Sequence, residues 1–299
     1  MSQNILRTPD ARFQNLPGYG FKPNWLDVAG LRMHYLDEGP RNGPIALLLH
    51  GEPTWSYLYR KMIPPLVAAG VRAIAPDFIG FGKSDKLPSQ SDYSYAGHVA
   101  WMKAFIDKLD LKDITLFCQD WGSLVGLRLA MENQQRFARI MVSNGFLPTG
   151  RPANTAFKLW RAFATYSPWF PIGKIVNNGC VVKLSPAEIA AYDAPFPDSS
   201  YKAAARKFPR LVPIEESDPA VPANRAAWDA LGKWQKPFLC VFGKNDPILG
   251  GASKWLIQHV PGAKDQPHEQ IWGGHFVQED RGDELANRLV TLVNGAHAV

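Results

Sequence analysis

The chain of 299 residues is 46% hydrophobic and 20% charged, enough to bury a large core, and it suits one α/β domain carrying an insertion better than two equal domains. Its formal charge of +6 is mild and its basic residues form no run, so neither nucleic acid nor an anionic membrane is an expected partner. Three cysteines lie far apart, with Cys118 and Cys240 inside apolar runs, which predicts buried thiols without a disulfide framework. The polar Met1 to Phe13 lacks an apolar leader core and no later stretch has membrane-spanning length, so a cytoplasmic protein is expected.

Asn24 to Val28 and Leu31 to Asp37 alternate around Ala29-Gly30, which reads as an opening hairpin. Ile45 to Leu49 is a continuous apolar run, the mark of a strand covered on both faces, and it ends in His50-Gly51-Glu52-Pro53. Thr54 or Ser56 would cap the next helix, which Pro64-Pro65 should interrupt and Gly70 should stop. Val71 to Ala75 is a further buried strand leading into the glycine-punctuated Asp77-Phe78-Ile79-Gly80-Phe81-Gly82-Lys83-Ser84. Tyr95 to Leu109 reads as an amphipathic helix.

Ile114 to Cys118 is then a buried strand that meets Gln119-Asp120-Trp121-Gly122 and turns at once into a helical pattern running to Met131. Strand, sharp turn and helix form the setting of a nucleophile elbow, with an aspartate at the tip in place of serine. Gly122, Gly126 and Ala130 recur every fourth residue, so one helix face is small enough to lie close to a sheet. A plain helix N-cap is the competing reading of Asp120.

Ile140 to Ser143 continues the β-α alternation, which predicts a mostly parallel, helix-covered sheet. From about Phe146 to Asp218 the alternation gives way to short helical pieces separated by prolines, read as a helical lid. The expected division is therefore core over 1–145, cap over 146–218 and core again over 219–299. Pro237 to Phe242 and Gln270 to Trp272 resume the strands, and a last helix is expected over Arg281 to Asn294, with Asp283 and Glu284 in its first turn and Gly295 past its end.

Asp120, Asp246 and His275 each fall at the C-terminal end of a predicted strand, the edge where open α/β sheets bind ligands. Their order, nucleophile, acid, histidine, is that of the α/β-hydrolase triad. With these pieces, His50-Gly51-Glu52-Pro53-Thr54-Trp55-Ser56-Tyr57, the Asp77 to Asp85 loop, Gln119-Asp120-Trp121-Gly122 and Gly274-His275-Phe276-Val277-Gln278-Glu279, the chain resembles a haloalkane dehalogenase of the α/β-hydrolase fold over nearly its whole length. It most resembles the subgroup whose triad acid follows the strand after the lid, here Asp246. The other large subgroup has Glu at the end of the strand before the lid, where this chain has Ser143-Asn144-Gly145, and Asn after His-Gly, where it has Glu52.

The resemblance implies that a haloalkane becomes a primary alcohol, a halide ion and a proton. Displacement at saturated carbon leaves the nucleophile alkylated. A serine would become an ether that water does not readily cleave, whereas aspartate becomes an ester that water can open. His275 would then deprotonate that water while Asp246 fixes its tautomer. Backbone N–H groups of Glu52 and Trp121 are the expected oxyanion donors. The halide should be held by the indole N–H of Trp121 and by a lid tryptophan, Trp160 or Trp169; Phe157-Lys158-Leu159-Trp160 resembles the family's lid Phe-x-x-Trp and favours Trp160. Phe157, Phe208, Pro209, Val212, Ile248 and Leu249 are candidate apolar walls, with core packing an equal reading. No cofactor or metal is expected, the partners are a small apolar halogenated substrate and a halide ion, and the protein is expected to be a monomer. The rival is an epoxide hydrolase with the same triad, for which Tyr166, Tyr192 and Tyr201 would supply acids.

Overall fold

The apolar runs singled out above all become strands, and in the computed structural model, which describes residues 4–295, they join into one sheet of eight. They are β1 (Asn24–Val28), β2 (Leu31–Glu38), β3 (Ile45–Leu49), β4 (Arg72–Pro76), β5 (Ile114–Gln119), β6 (Phe137–Ser143), β7 (Phe238–Gly243) and β8 (Glu269–Ile271). Their order is β1-β2-β4-β3-β5-β6-β7-β8. β1 and β2 are antiparallel to each other, β2 is antiparallel to β4, and every pairing from β4 to β8 is parallel. All six residues of β5 are buried, because helices cover both faces of the central strands and leave no position for a polar face. The strand order reverses between β3 and β5, so the loops leaving these two strands diverge and open a crevice between them. Those loops carry Glu52 and Asp120.

The helix Trp121–Glu132 lies close on this sheet, as its small-residue face requires. A Cβ on Gly122 would stand 1.9 Å from the Leu49 carbonyl oxygen, and one on Gly126 would stand 3.2 Å from both Leu116 Cδ2 and Leu49 Cδ1. Any larger residue at Gly122 would lift the helix and the turn before it away from β3.

Three local expectations are corrected. Neither Thr54 nor Ser56 caps a helix: Thr54 Oγ1 donates 2.8 Å to Gly51 O, and Ser56 Oγ pairs with the Tyr19 hydroxyl at 2.7 Å. Pro64-Pro65 do not interrupt the helix that follows but sit in the first turn of Ile63–Ala68, where a missing N–H costs nothing. The last helix, expected from about Arg281, is preceded by one extra turn: the helical stretch Val277–Val293 is broken at Arg281 (φ −145°, ψ 42°), so a short turn carrying Glu279 and Asp280 comes before the long helix that the sequence pattern marks.

Between β6 and β7 no strand occurs among the described residues. The chain forms the helices Thr155–Tyr166, Ile172–Gly179, Pro186–Asp193 and Ala203–Leu211, then Val221–Leu231, which packs back on Trp121–Glu132. Cys118, Cys180 and Cys240 are all free and buried. Among the described residues no helix is long and apolar enough to cross a membrane.

Candidate active site

The tip of the elbow is held in a conformation that a side chain rarely adopts: Asp120 has φ 50°, ψ −125°. The surrounding backbone enforces it. Asp120 N donates 3.0 Å to Asn144 O, and the Asp120 carbonyl accepts from Ser123 N at 2.8 Å and Ser123 Oγ at 2.6 Å. Asp120 occupies the N-cap position of Trp121–Glu132, but its carboxylate makes no capping hydrogen bond. Oδ1 instead accepts 2.7 Å from the Glu52 N–H across the crevice. The capping reading of Asp120 therefore fails, because the strained backbone turns the side chain away from its own helix.

His275, four residues past the end of β8, reaches both carboxylates. Its Nδ1 lies 2.8 Å from Asp246 Oδ2 and its Nε2 lies 3.5 Å from Asp120 Oδ2. Asp246, three residues past β7, has a fully buried side chain whose Oδ2 also accepts from Asn144 Nδ2 at 2.9 Å, while Oδ1 accepts from Ile248 N at 2.8 Å. Burial by itself would raise the Asp246 carboxyl, but the His275 charge and these hydrogen bonds outweigh it and hold it at about 2. Burial would likewise lower His275, and the charges and hydrogen bonds of Asp246 and Asp120 outweigh it and raise the imidazole to about 10.

Of the two expected oxyanion donors, the Glu52 N–H already points at Asp120. No hydrogen bond joins the Trp121 N–H to that carboxylate among the described residues. The Glu52 carboxyl is buried, its Oε1 has no partner among the described residues, and burial followed by the Asp120 charge pushes it well above the usual carboxylate range. Two participants escaped the sequence reading. Asn144 stands at φ 38° just past β6, where it donates 2.9 Å to Asp246 Oδ2 and accepts from Gly243 N at 2.6 Å through Oδ1. Gln119 is fully buried, donates 3.0 Å to His275 O and lies 3.3 Å from His275 Nε2. The only local signal for either was its place at the C-terminal end of a central strand.

A cavity of about 1620 Å³ opens over Asp120 and His275. Glu52 and Trp121 line it from the core, and Phe157, Trp160, Trp169, Pro209, Val212, Ile248 and Leu249 complete its walls among others. Phe208 does not line it: this side chain is fully buried, with its ring centroid 4.4 Å from Trp121, 4.7 Å from Phe81 and 4.5 Å from His98. Successive residues on the helix Ala203–Leu211 point about 100° apart, so Pro209 reaches the cavity while Phe208 backs Trp121. Trp160 is half-buried and stacks near Phe170 at 5.9 Å, whereas Trp169 is 60% exposed. Neither Trp121 nor Trp160 donates its indole N–H to any group among the described residues. Tyr166, Tyr192 and Tyr201 are absent from the cavity wall; Tyr166 is 83% exposed and the Tyr192 hydroxyl is bound to Glu279.

Residues 44–171 match the family described as alpha/beta hydrolase fold. A haloalkane dehalogenase from Mycobacterium marinum is 60% identical over 294 residues, covering 96% of this chain and 99% of its own. One from Psychrobacter cryohalolentis is 54% identical over 297 residues, covering 97% and 98%. Among solved structures, a tetrameric haloalkane dehalogenase from Paraglaciecola agarilytica superposes with a TM-score of 0.90 at 38% identity, covering 95% of this chain and 97% of that one.

Proposed function

The chain belongs to the haloalkane dehalogenases of the α/β-hydrolase fold, and on that premise we propose that Asp120, His275 and Asp246 carry its hydrolytic dehalogenation in two steps. The observation that carries this reading is one imidazole within 2.8 Å of Asp246 and 3.5 Å of Asp120, over a single cavity. Because the Glu52 N–H occupies Oδ1, the attacking atom is Oδ2. Oδ2 bonds to the halogen-bearing carbon as the carbon-halogen pair departs with the halide. In the resulting ester Oδ1 is the carbonyl oxygen, already 2.7 Å from a donor when water attacks and the oxyanion forms. The water oxygen bonds to the ester carbonyl carbon as one of its protons passes to His275 Nε2. Collapse of the intermediate breaks the bond from that carbon to Oδ2, which leaves with the alkyl group as an alkoxide and takes the remaining hydroxyl proton to become the alcohol. Asp120 is left a carboxylate, with the water's oxygen in place of the one lost, and the proton on Nε2 is then released to solvent. The buried Glu52 carboxyl, beside Asp120 and with an unpartnered oxygen among the described residues, orients that water.

The charges also couple the two steps. An imidazole held at about 10 is a poor base near neutrality, but part of that elevation comes from Asp120. Alkylation converts Asp120 to a neutral ester, so the histidine loses one stabilising anion just when its lone pair is needed. Asp120→Asn is expected to release no halide from a bromoalkane and to lower the His275 pKa followed by NMR titration. Retained halide release would overturn the nucleophile, and an unmoved imidazole would overturn the coupling.

The halide is held by the indole N–H groups of Trp121 and Trp160, neutral donors without a lone pair to repel it. The half-buried position of Trp160 supports it over the exposed Trp169. One hydrogen bond to a charged group contributes about 1.5–3 kcal/mol, so Trp160→Phe should weaken halide quenching of tryptophan fluorescence roughly 10- to 100-fold in Kd. An unchanged response would move the role to Trp169. Residues 146–218 are the cap closing this cavity over a core of 4–145 and 219–295. The epoxide reading lacks its acids, since no candidate tyrosine faces the cavity. All groups invoked come from one chain, so the mechanism needs no second copy even though the Paraglaciecola relative is tetrameric.

A further inference from the structure

The loop that carries His275 is tied to the helical insertion through one buried carboxylate. Asp280, 8% exposed, accepts from the Gly274 N–H at 2.8 Å and the Val181 N–H at 3.1 Å through Oδ2, and from the Val182 N–H at 2.7 Å through Oδ1. Gly274 immediately precedes the histidine, and Val181 and Val182 follow the helix Ile172–Gly179 of the insertion. A second tie lies beside the first, where His275 N donates 2.8 Å to Gly179 O. The two segments meet backbone to backbone: a Cβ on Gly274 would stand 2.2 Å from Gly179 O, and one on Gly179 would stand 2.7 Å from the Phe276 ring. Asp280 itself lies outside the cavity wall, so it touches no substrate.

We propose that Asp280 is a positioning residue that latches the insertion to the histidine loop, sets where His275 Nε2 stands over Asp120, and so governs ester hydrolysis but not halide displacement. The proposal rests on the two-step reading above. Displacement needs Asp120 Oδ2 and the indole donors, and none of these sits on the latched segments: Asp120 follows β5 and Trp160 lies on Thr155–Tyr166. Hydrolysis needs an imidazole placed to within a fraction of an ångström of a water, and a misplacement of about 1 Å costs on the order of 100-fold. Asp280 also sits in the first turn of Val277–Val293, where an acidic side chain stabilises a helix. That role alone would change stability without separating the two steps.

The test is rapid-mixing of Asp280→Ala and Asp280→Asn with a bromoalkane, following the first equivalent of halide, steady-state turnover, and the mass of the quenched protein. The expected result for Asp280→Ala is a first halide phase within about 2-fold of the unaltered enzyme, turnover down roughly 10- to 100-fold, and alkylated Asp120 accumulating. Asp280→Asn, which keeps one acceptor oxygen and the same shape, should fall between, and it carries the test should Asp280→Ala not fold. Equal slowing of both phases, or no change in either, would overturn the latch. If His275→Phe also gave no adduct on Asp120, the covalent reading itself would have failed, whatever Asp280 does.

Discussion

His275→Phe is expected to stop the reaction halfway, with one equivalent of halide released and the alkyl group left on Asp120. The displacement needs no base, because Asp120 is already a carboxylate, and the phenyl ring leaves Oδ2 open on the side now facing Nε2 at 3.5 Å. The second step loses the proton acceptor proposed for it, which corresponds to a fall in turnover of about 10²- to 10⁴-fold. Intact mass after exposure to a bromoalkane should rise by the alkyl group less one hydrogen, and peptide mapping should place the addition on Asp120. Protein that is inactive and unmodified would sink the covalent route.

Asp246→Asn should cost nearly as much, for a different reason. Asp246 Oδ2 lies 2.8 Å from His275 Nδ1 and so keeps the proton there, leaving the Nε2 lone pair for water. An amide that turns its NH2 toward Nδ1 favours the opposite tautomer; the corresponding change in serine proteases lowers turnover about 10⁴-fold. The acid limb of the pH profile should also move. The base works only when deprotonated, and Asp246 is the foremost group raising His275 to about 10, so its neutralisation shifts that limb to lower pH. The sign for stability is opposite to that for a raised group. A carboxyl depressed from 3.8 to about 2 adds stability that is fully present above the unfolded value and lost as pH falls through about 2. Turnover within about 10-fold of the unaltered enzyme, with an unmoved acid limb, would remove Asp246 from the triad.

Much of this was readable before any coordinates. Strands buried on both faces can hold only apolar residues, so β3, β5 and β7 announce themselves in composition, and the small-residue spacing of Gly122 and Gly126 states that a helix must touch the sheet. The residues that failed were those whose role depends on partners far along the chain. Asn144 meets Asp246 across 102 residues and Asp280 meets Val181 across 99, separations at which no local pattern carries information. Phe208 and Pro209 are neighbours with opposite fates, one behind Trp121 and one on the cavity wall, and hydrophobicity alone does not rank them.

The sequence by itself determined the order of strands and helices along the chain and the strand ends past which Asp120, Asp246 and His275 stand, because these follow from local burial and turn residues. Only the tertiary structure decided that the Glu52 N–H takes Oδ1 of Asp120 and leaves Oδ2 toward His275, that Asn144 braces Asp246, and that the insertion meets the histidine loop through Asp280. These depend on distances between segments brought together when the reversal between β3 and β5 opens a crevice and the helical insertion folds over it, and such distances exist only once the chain has closed on itself.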